Sequence, residues 1–173
     1  MSKLTLSLVT CALIGCTSNP LRQSPALAPA IAFAHAERYT QLVVISRNAE
    51  DYRLLCILEL SERGLVLVAF TELSQRLFTL EYGPDRRLAI DRSAMLPNSF
   101  DAKLVLADLQ LVYWPMTLLR SSLRDGWSVT EADDGRHLLH DGEVVADVHR
   151  VDGTIDIQRP LLGYHMTIAM VSN

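Results

Sequence analysis

From Gln41 onward, hydrophobic side chains recur with a period close to two, the spacing that puts alternate residues on one face of a β-strand. Leu42-Val43-Val44-Ile45 opens a first strand. In Tyr52–Leu60 the residues Tyr52, Leu54, Cys56, Leu58 and Leu60 share one face, and Arg53, Leu55, Ile57 and Glu59 share the other. Gly64 marks a turn before Leu65–Phe70, and Leu77–Tyr82 brings Phe78, Leu80 and Tyr82 together. Gly83-Pro84-Asp85 is a turn signal, followed by a short strand over Arg87–Asp91. Later runs at Trp127–Thr130, His137–His140, Val144–Val148 and Thr154–Ile157 are separated by Asp134-Gly135, Asp141-Gly142 and Asp152-Gly153. Asp-Gly is a strong hairpin signal because both turn positions tolerate positive φ. Tyr164, Met166, Ile168 and Met170 line one face of a last strand. Consecutive strands joined by short turns predict an antiparallel meander.

Between the two groups of strands the period lengthens. Val105, Leu106, Leu109, Val112 and Tyr113 recur at helical spacing, with Lys103, Asp108 and Gln110 elsewhere around the wheel. Ser99 or Asp101 can cap this helix. Pro115 breaks or kinks it and suits the first turn of a second segment, Met116–Leu123, which Gly126 ends. The fold class expected is therefore mainly β with a helical insertion.

The N-terminus carries a different pattern. Met1-Ser2-Lys3 precedes an apolar stretch of 12 residues, Leu4–Gly15, and then Cys16. A spanning helix needs about 20 apolar residues, whereas the core of a secretory signal needs about 7–15. The basic start, short apolar run and Leu13-Ile14-Gly15-Cys16 resemble a bacterial lipoprotein signal with its lipobox. The resemblance implies cleavage before Cys16, lipidation of that cysteine and, with Thr17 rather than aspartate next, sorting to the outer membrane. The partner it implies is the membrane itself. Residues 16–39, rich in Ser, Pro and Ala up to Pro29, read as a lipidated N-terminus and tether; a helical turn over Ala28–Ala36 is weakened by Pro29. The domain is then 40–173, with a helical cover at about 100–124.

Composition narrows the function classes. The chain has a formal charge of −4, and its only adjacent basic pair is Arg86-Arg87, so no nucleic-acid face is expected. Of three cysteines, Cys11 leaves with the signal and Cys16 takes lipid, so Cys56 has no intrachain partner. It lies on an apolar strand face, where a cysteine is an inert core residue. His137 and His140 are three apart and fall on opposite strand faces, and a two-residue turn at Asp141-Gly142 would place His137 opposite Ala146. A surface histidine pair is the reading, with no metal site. No nucleophile elbow, phosphate loop or dinucleotide fingerprint occurs, so neither catalytic residues nor a cofactor are expected.

The order of strands, helical insertion and strands resembles the lipoprotein-carrier fold of the bacterial Lol system, a half-open antiparallel β-barrel with helices across its mouth. Asp108-Leu109-Gln110-Leu111, Trp114-Pro115, Gly135-Arg136 and Gly163-Tyr164 resemble an uncharacterised family of outer-membrane lipoproteins associated with aryl-polyene biosynthesis clusters. The resemblance implies a carrier for an acyl chain, a lipidated protein or an aryl-polyene lipid. Leu109, Tyr113, Trp114 and Met116, around the Pro115 break, are the candidate ligand or lid residues. Arg136 is the candidate head-group contact, with a nearby carboxylate as its other partner. The competing expectation is a filled barrel that scaffolds an envelope complex and has no ligand cavity.

Overall fold

The computed structural model describes residues 28, 33, 35–47, 49–133 and 135–171. The signal-like residues 1–15, Cys16 and the tether as far as residue 27 lie outside the described residues. Among the described residues, ten strands form one antiparallel sheet: β1 (Glu37–Arg47), β2 (Glu50–Ser61), β3 (Gly64–Thr71), β4 (Arg76–Tyr82), β5 (Leu88–Arg92), β6 (Trp127–Ala132), β7 (Gly135–His140), β8 (Glu143–Val151), β9 (Thr154–Arg159) and β10 (Tyr164–Met170). Their order is β5-β4-β3-β2-β1-β10-β9-β8-β7-β6. Two five-strand meanders therefore meet at a central β1–β10 seam, and among the described residues β5 and β6 are the edges. Helices α1 (Ala102–Tyr113) and α2 (Met116–Ser122) connect those edges. The result is a mainly β, α+β fold: a half-open, barrel-like sheet with helices.

The period-two pattern explains which face turns inward. Leu58, Leu80 and Ile157 have no exposed surface, and Leu60, Leu65, Val148 and Ile168 have almost none. Their neighbours one residue away, such as Glu59, Glu81 and Gln158, are exposed. Irregularities in the β3–β4 register at Ala69/Phe70 and the β7–β8 register at Leu138/Leu139 add local twist to the sheet.

Two of the three Asp-Gly turns form as the sequence predicts. Asp141 and Gly142 have φ of 50° and 83°, and Asp152 and Gly153 have 50° and 76°. These are the paired positive angles of a two-residue hairpin turn. Gly135 differs, because it already belongs to β7 and pairs with Ala132. Its role is close approach: a Cβ there would lie 1.8 Å from the Val148 carbonyl oxygen.

The domain also begins earlier than residue 40. β1 starts at Glu37. Ala28 is 1% exposed within the core, and Phe33 packs against it. Ala28, Phe33, His35 and Ala36 are not helical. Among the described residues, no helix is long and apolar enough to cross a membrane.

Candidate functional site

Helix α1 starts at Asp101, whose carboxylate accepts from the Lys103 and Leu104 amides at 2.9 and 3.3 Å. This resolves the Ser99 or Asp101 choice in favour of Asp101. From Leu106 to Val112 every residue is buried, so the helix is enclosed all round instead of floating on one apolar stripe. Burial of Asp108 and Gln110 is the reason it matters, since each needs a partner inside the protein.

Asp108 finds Arg159 at the end of β9. The Arg159 Nε donates to Asp108 Oδ1 at 2.7 Å, and Nη2 stands 2.5 Å from the same oxygen. The two side chains are 0% and 4% exposed. Among the described residues, Asp108 Oδ2 has no hydrogen-bond donor. Burial lifts the Asp108 carboxyl above the ordinary carboxylate range, and the Arg159 charge only partly offsets this. Beside the pair, burial and the Asp108 charge push the Tyr164 hydroxyl far up, and it donates to the Met166 sulfur at 3.3 Å. Gly163, at φ 56°, lets the chain leave the 3-10 turn Pro160–Leu162 and enter β10 at Tyr164.

Gln110 finds the backbone of Ala28. Its Oε1 accepts from the Ala28 amide at 2.9 Å, and its Nε2 donates to the Ala28 carbonyl at 2.8 Å. The Tyr82 hydroxyl donates to that same carbonyl at 2.7 Å. Phe33 packs edge-on against Trp114, with ring centroids 5.6 Å apart.

The C-terminal end of α1 is held by two arginines. Arg136 Nη1 donates to the carbonyls of Leu111 and Trp114, each at 2.8 Å, and Arg150 Nη2 donates to that of Val112 at 2.7 Å. A helix end carries unpaired carbonyls and partial negative charge, so cations belong there. Arg136 is thus engaged by the helix end, with Glu131 a looser neighbour at 3.7 Å. The nearby carboxylate read from sequence is present as Glu131, and the closer contacts of Arg136 are the carbonyls of the helix end. Substituting Arg136→Ala is expected to cost about 2 kcal/mol, the scale of a charged hydrogen bond to partly buried acceptors. Urea unfolding reads the loss, and faster amide exchange confined to α1 and Met116 would accompany it.

The candidate ligand residues all lie at this junction. Leu109 and Trp114 are 4% and 0% exposed, and Tyr113 and Met116 are half-buried against the core. Tyr113 stacks on Tyr39 at 5.7 Å, and its hydroxyl accepts from Gln41 Nε2 at 2.6 Å. Beneath the helices is a cavity of about 20 Å³, lined by Ala28, Ala107, Gln110, Leu111, Leu119 and neighbouring residues. That is room for one water molecule. A separate open groove of about 450 Å³ lies at the β1–β10 seam, lined by Arg38, Tyr39, Thr40, Met170 and Val171.

Burial pushes the Cys56 thiol up to about 12, leaving no thiolate for reaction. His137 lies opposite Asp147 instead of Ala146, because the irregularity after Leu138 shifts the β7–β8 register by one residue. His137 and His149 then flank one carboxylate, with nitrogens 2.9 and 3.0 Å from the Asp147 oxygens. Among the described residues no group of three or more His, Cys, Asp or Glu side chains has the geometry to hold a metal ion.

Asp108, Gln110, Trp114, Arg136 and Tyr164, scattered over the sequence, therefore converge on the seam between the helices and the sheet. A search of curated proteins gave no match. Residues 38–172, nearly all of the sheet and both helices, match a family described as a protein of unknown function (DUF3261), and the chain belongs to that family.

Proposed function

We propose that this chain is a non-enzymatic lipoprotein of the bacterial outer membrane, anchored through acyl chains on Cys16, whose domain faces the periplasm. Its half-barrel binds or hands over a hydrophobic ligand: an acyl chain, a lipidated protein or an aryl-polyene lipid. Two or more acyl chains on one cysteine hold a protein stably on a bilayer, where one does so only marginally. An apolar concave sheet under a helical cover suits an acyl ligand, because each buried methylene contributes about 0.8 kcal/mol.

The observation that carries this reading is how the interior is completed. Ala28 and Phe33 belong to no strand or helix, yet they fill space between the cover and the sheet. The described hydrogen bonds of Ala28 are to two side chains, Gln110 and Tyr82. An interior position held by side chains, as Ala28 is, is one that a ligand can share or take over. The scaffold reading has its own support, the cavity of only about 20 Å³.

Two measurements test the proposal. The mature-length chain, made without lipid from residue 16, is purified and its bound lipids are identified by mass spectrometry. Co-purifying acyl lipid supports the carrier; a lipid-free chain that takes up none from phospholipid vesicles favours the scaffold. Replacing Cys16 with Ser is expected to move the protein from the membrane to the soluble fraction on cell fractionation. Continued tight membrane association would defeat the anchoring claim.

A further inference from the structure

We propose that β5 is an association edge through which two copies of this chain pair strand to strand about a two-fold axis at Ala89. The pairing is independent of the carrier reading. The two ends of the sheet are not alike. At β6, α2 packs against the strand, and Arg120 Nε donates to the Val129 carbonyl at 3.5 Å. At β5, among the described residues, no strand pairs with the outer side. The chain leaving β5 turns back over the inner face of β4. There Phe100 packs on Phe78 with ring centroids 4.7 Å apart. Arg92, opposite Phe78 in register, donates to the Leu96 and Pro97 carbonyls at 2.9 and 3.2 Å. Ala89, Ile90, Asp91 and Arg92 are exposed, and Leu88 is half-buried.

The backbone of β5 decides which groups face outward. The Ser93 N–H donates to the Leu77 carbonyl at 2.8 Å, and the Gly83 N–H donates to the Arg87 carbonyl at 3.4 Å. Asp91 lies opposite Thr79 and Ala89 opposite Glu81. The odd-numbered residues therefore direct their backbone bonds to β4, and the N–H and C=O groups of Leu88 and Ile90 point away from it. Such a row is a template for another strand. The sequence is self-complementary in one antiparallel register. An axis at Ala89 sets Leu88 opposite Ile90 of the second copy, an apolar pair that exchanges both N–H···O bonds. It also sets Arg87 opposite Asp91 of the second copy, twice over. Arg76 holds Asp91 Oδ2 at 2.7 Å, and Arg87 of the second copy meets Oδ1. Ala89 is small enough for the separation of about 4.5 Å in a non-hydrogen-bonded pair on the axis. Moving the axis to Ile90 sets Asp91 on Ala89 and Arg92 on Leu88, and both ion pairs are lost. The charge pattern thus selects a second copy in the first register. So short an edge buries too little for an obligate dimer, and the association is reversible.

The test uses the mature-length chain carrying Cys16→Ser, which removes a thiol able to cross-link two copies. Analytical ultracentrifugation from about 10 μM to about 1 mM, the range in which a small interface associates, should show a monomer–dimer equilibrium. Arg87→Glu alone and Asp91→Lys alone each turn both ion pairs into like-charge pairs, and each should weaken the dimer about tenfold. An equimolar mixture of the two variants should restore it, because each supplies the charge that the other lacks. Both positions are exposed, so neither change disturbs the core. Amide exchange at Leu88 and Ile90 should slow as the parent is concentrated, with β6 unchanged. A parent that stays monomeric throughout would overturn the pairing, and lipid found on that monomer would leave the carrier reading standing. A dimer indifferent to both charge reversals, or a mixture no stronger than its components, would also overturn it.

Discussion

Replacing Arg159 by Met is expected to lower the unfolding free energy by about 3–5 kcal/mol at neutral pH, because it strands the Asp108 carboxylate in the core without its cation. The pair is among the most deeply buried polar groups described, at 0% and 4% exposure, and among the described residues Oδ2 of Asp108 has no hydrogen-bond partner even with Arg159 in place. The deficit depends on pH with a definite sign. Burial raises the Asp108 folded-state pKa above its unfolded value of about 3.9. An acid so shifted binds its proton more tightly folded than unfolded, so its contribution is fully present below the unfolded pKa and is lost as pH rises through the folded one. Without Arg159 the folded pKa rises further. The gap between variant and parent should therefore shrink as pH falls toward the unfolded-state pKa of about 3.9. Urea titrations at several pH values measure this. A gap that widens on acidification would show that Asp108 is not the group responsible. The double variant Asp108→Leu with Arg159→Met should recover most of the loss, since two apolar residues replace a buried pair at little net cost.

The second large effect is expected at Trp114, where substitution by Ala should cost about 3–5 kcal/mol, the range for emptying a fully buried aromatic site. Trp114 has no exposed surface and sits where three elements meet: the end of α1, the Pro115 break and Phe33. Its extended backbone, with ψ of 148°, is the conformation imposed by the following proline. The side chain thus fixes the corner between the helices as well as filling the interior. Thermal or urea unfolding gives the magnitude. Amide exchange at Phe33, whose N–H donates to Ser61, should quicken before exchange in β2 or β9 does. Uniform loss of protection would instead place Trp114 in the global core alone.

Much of the sheet was legible because its physics is local. Alternation marked the face that is buried at Cys56, Leu58 and Leu60 and at Phe78, Leu80 and Tyr82, although Tyr52 at the start of β2 is exposed, and the Asp141-Gly142 and Asp152-Gly153 turns have the backbone angles those residues favour. The helix and the Pro115 break were legible for the same reason, and the cap was narrowed to Ser99 or Asp101, of which Asp101 serves. The partners of Asp108, Gln110 and Arg136 were not, since they lie 51, 82 and about 25 residues away and no local pattern links them. One signal was available. Asp108 and Gln110 interrupt an apolar run from Val105 to Val112 whose wheel has no free polar side, so both had to be buried and paired. The register of His137 depended on an irregularity that period-two counting cannot see. Ala28 was read as tether because Pro and Ser around it suggest a linker, whereas its burial follows from backbone bonds to distant side chains.

The most direct test of the account is photolabelling with a diazirine analogue of palmitate, followed by mass mapping of the labelled peptides. A ligand held beneath the cover should place label on inward-facing positions of α1, α2 and the adjoining strands, such as Leu111, Leu119 and Leu138, and unlabelled fatty acid should compete it away. Label scattered over the outward face of the sheet, or insensitive to competitor, would contradict a carrier and leave a filled scaffold.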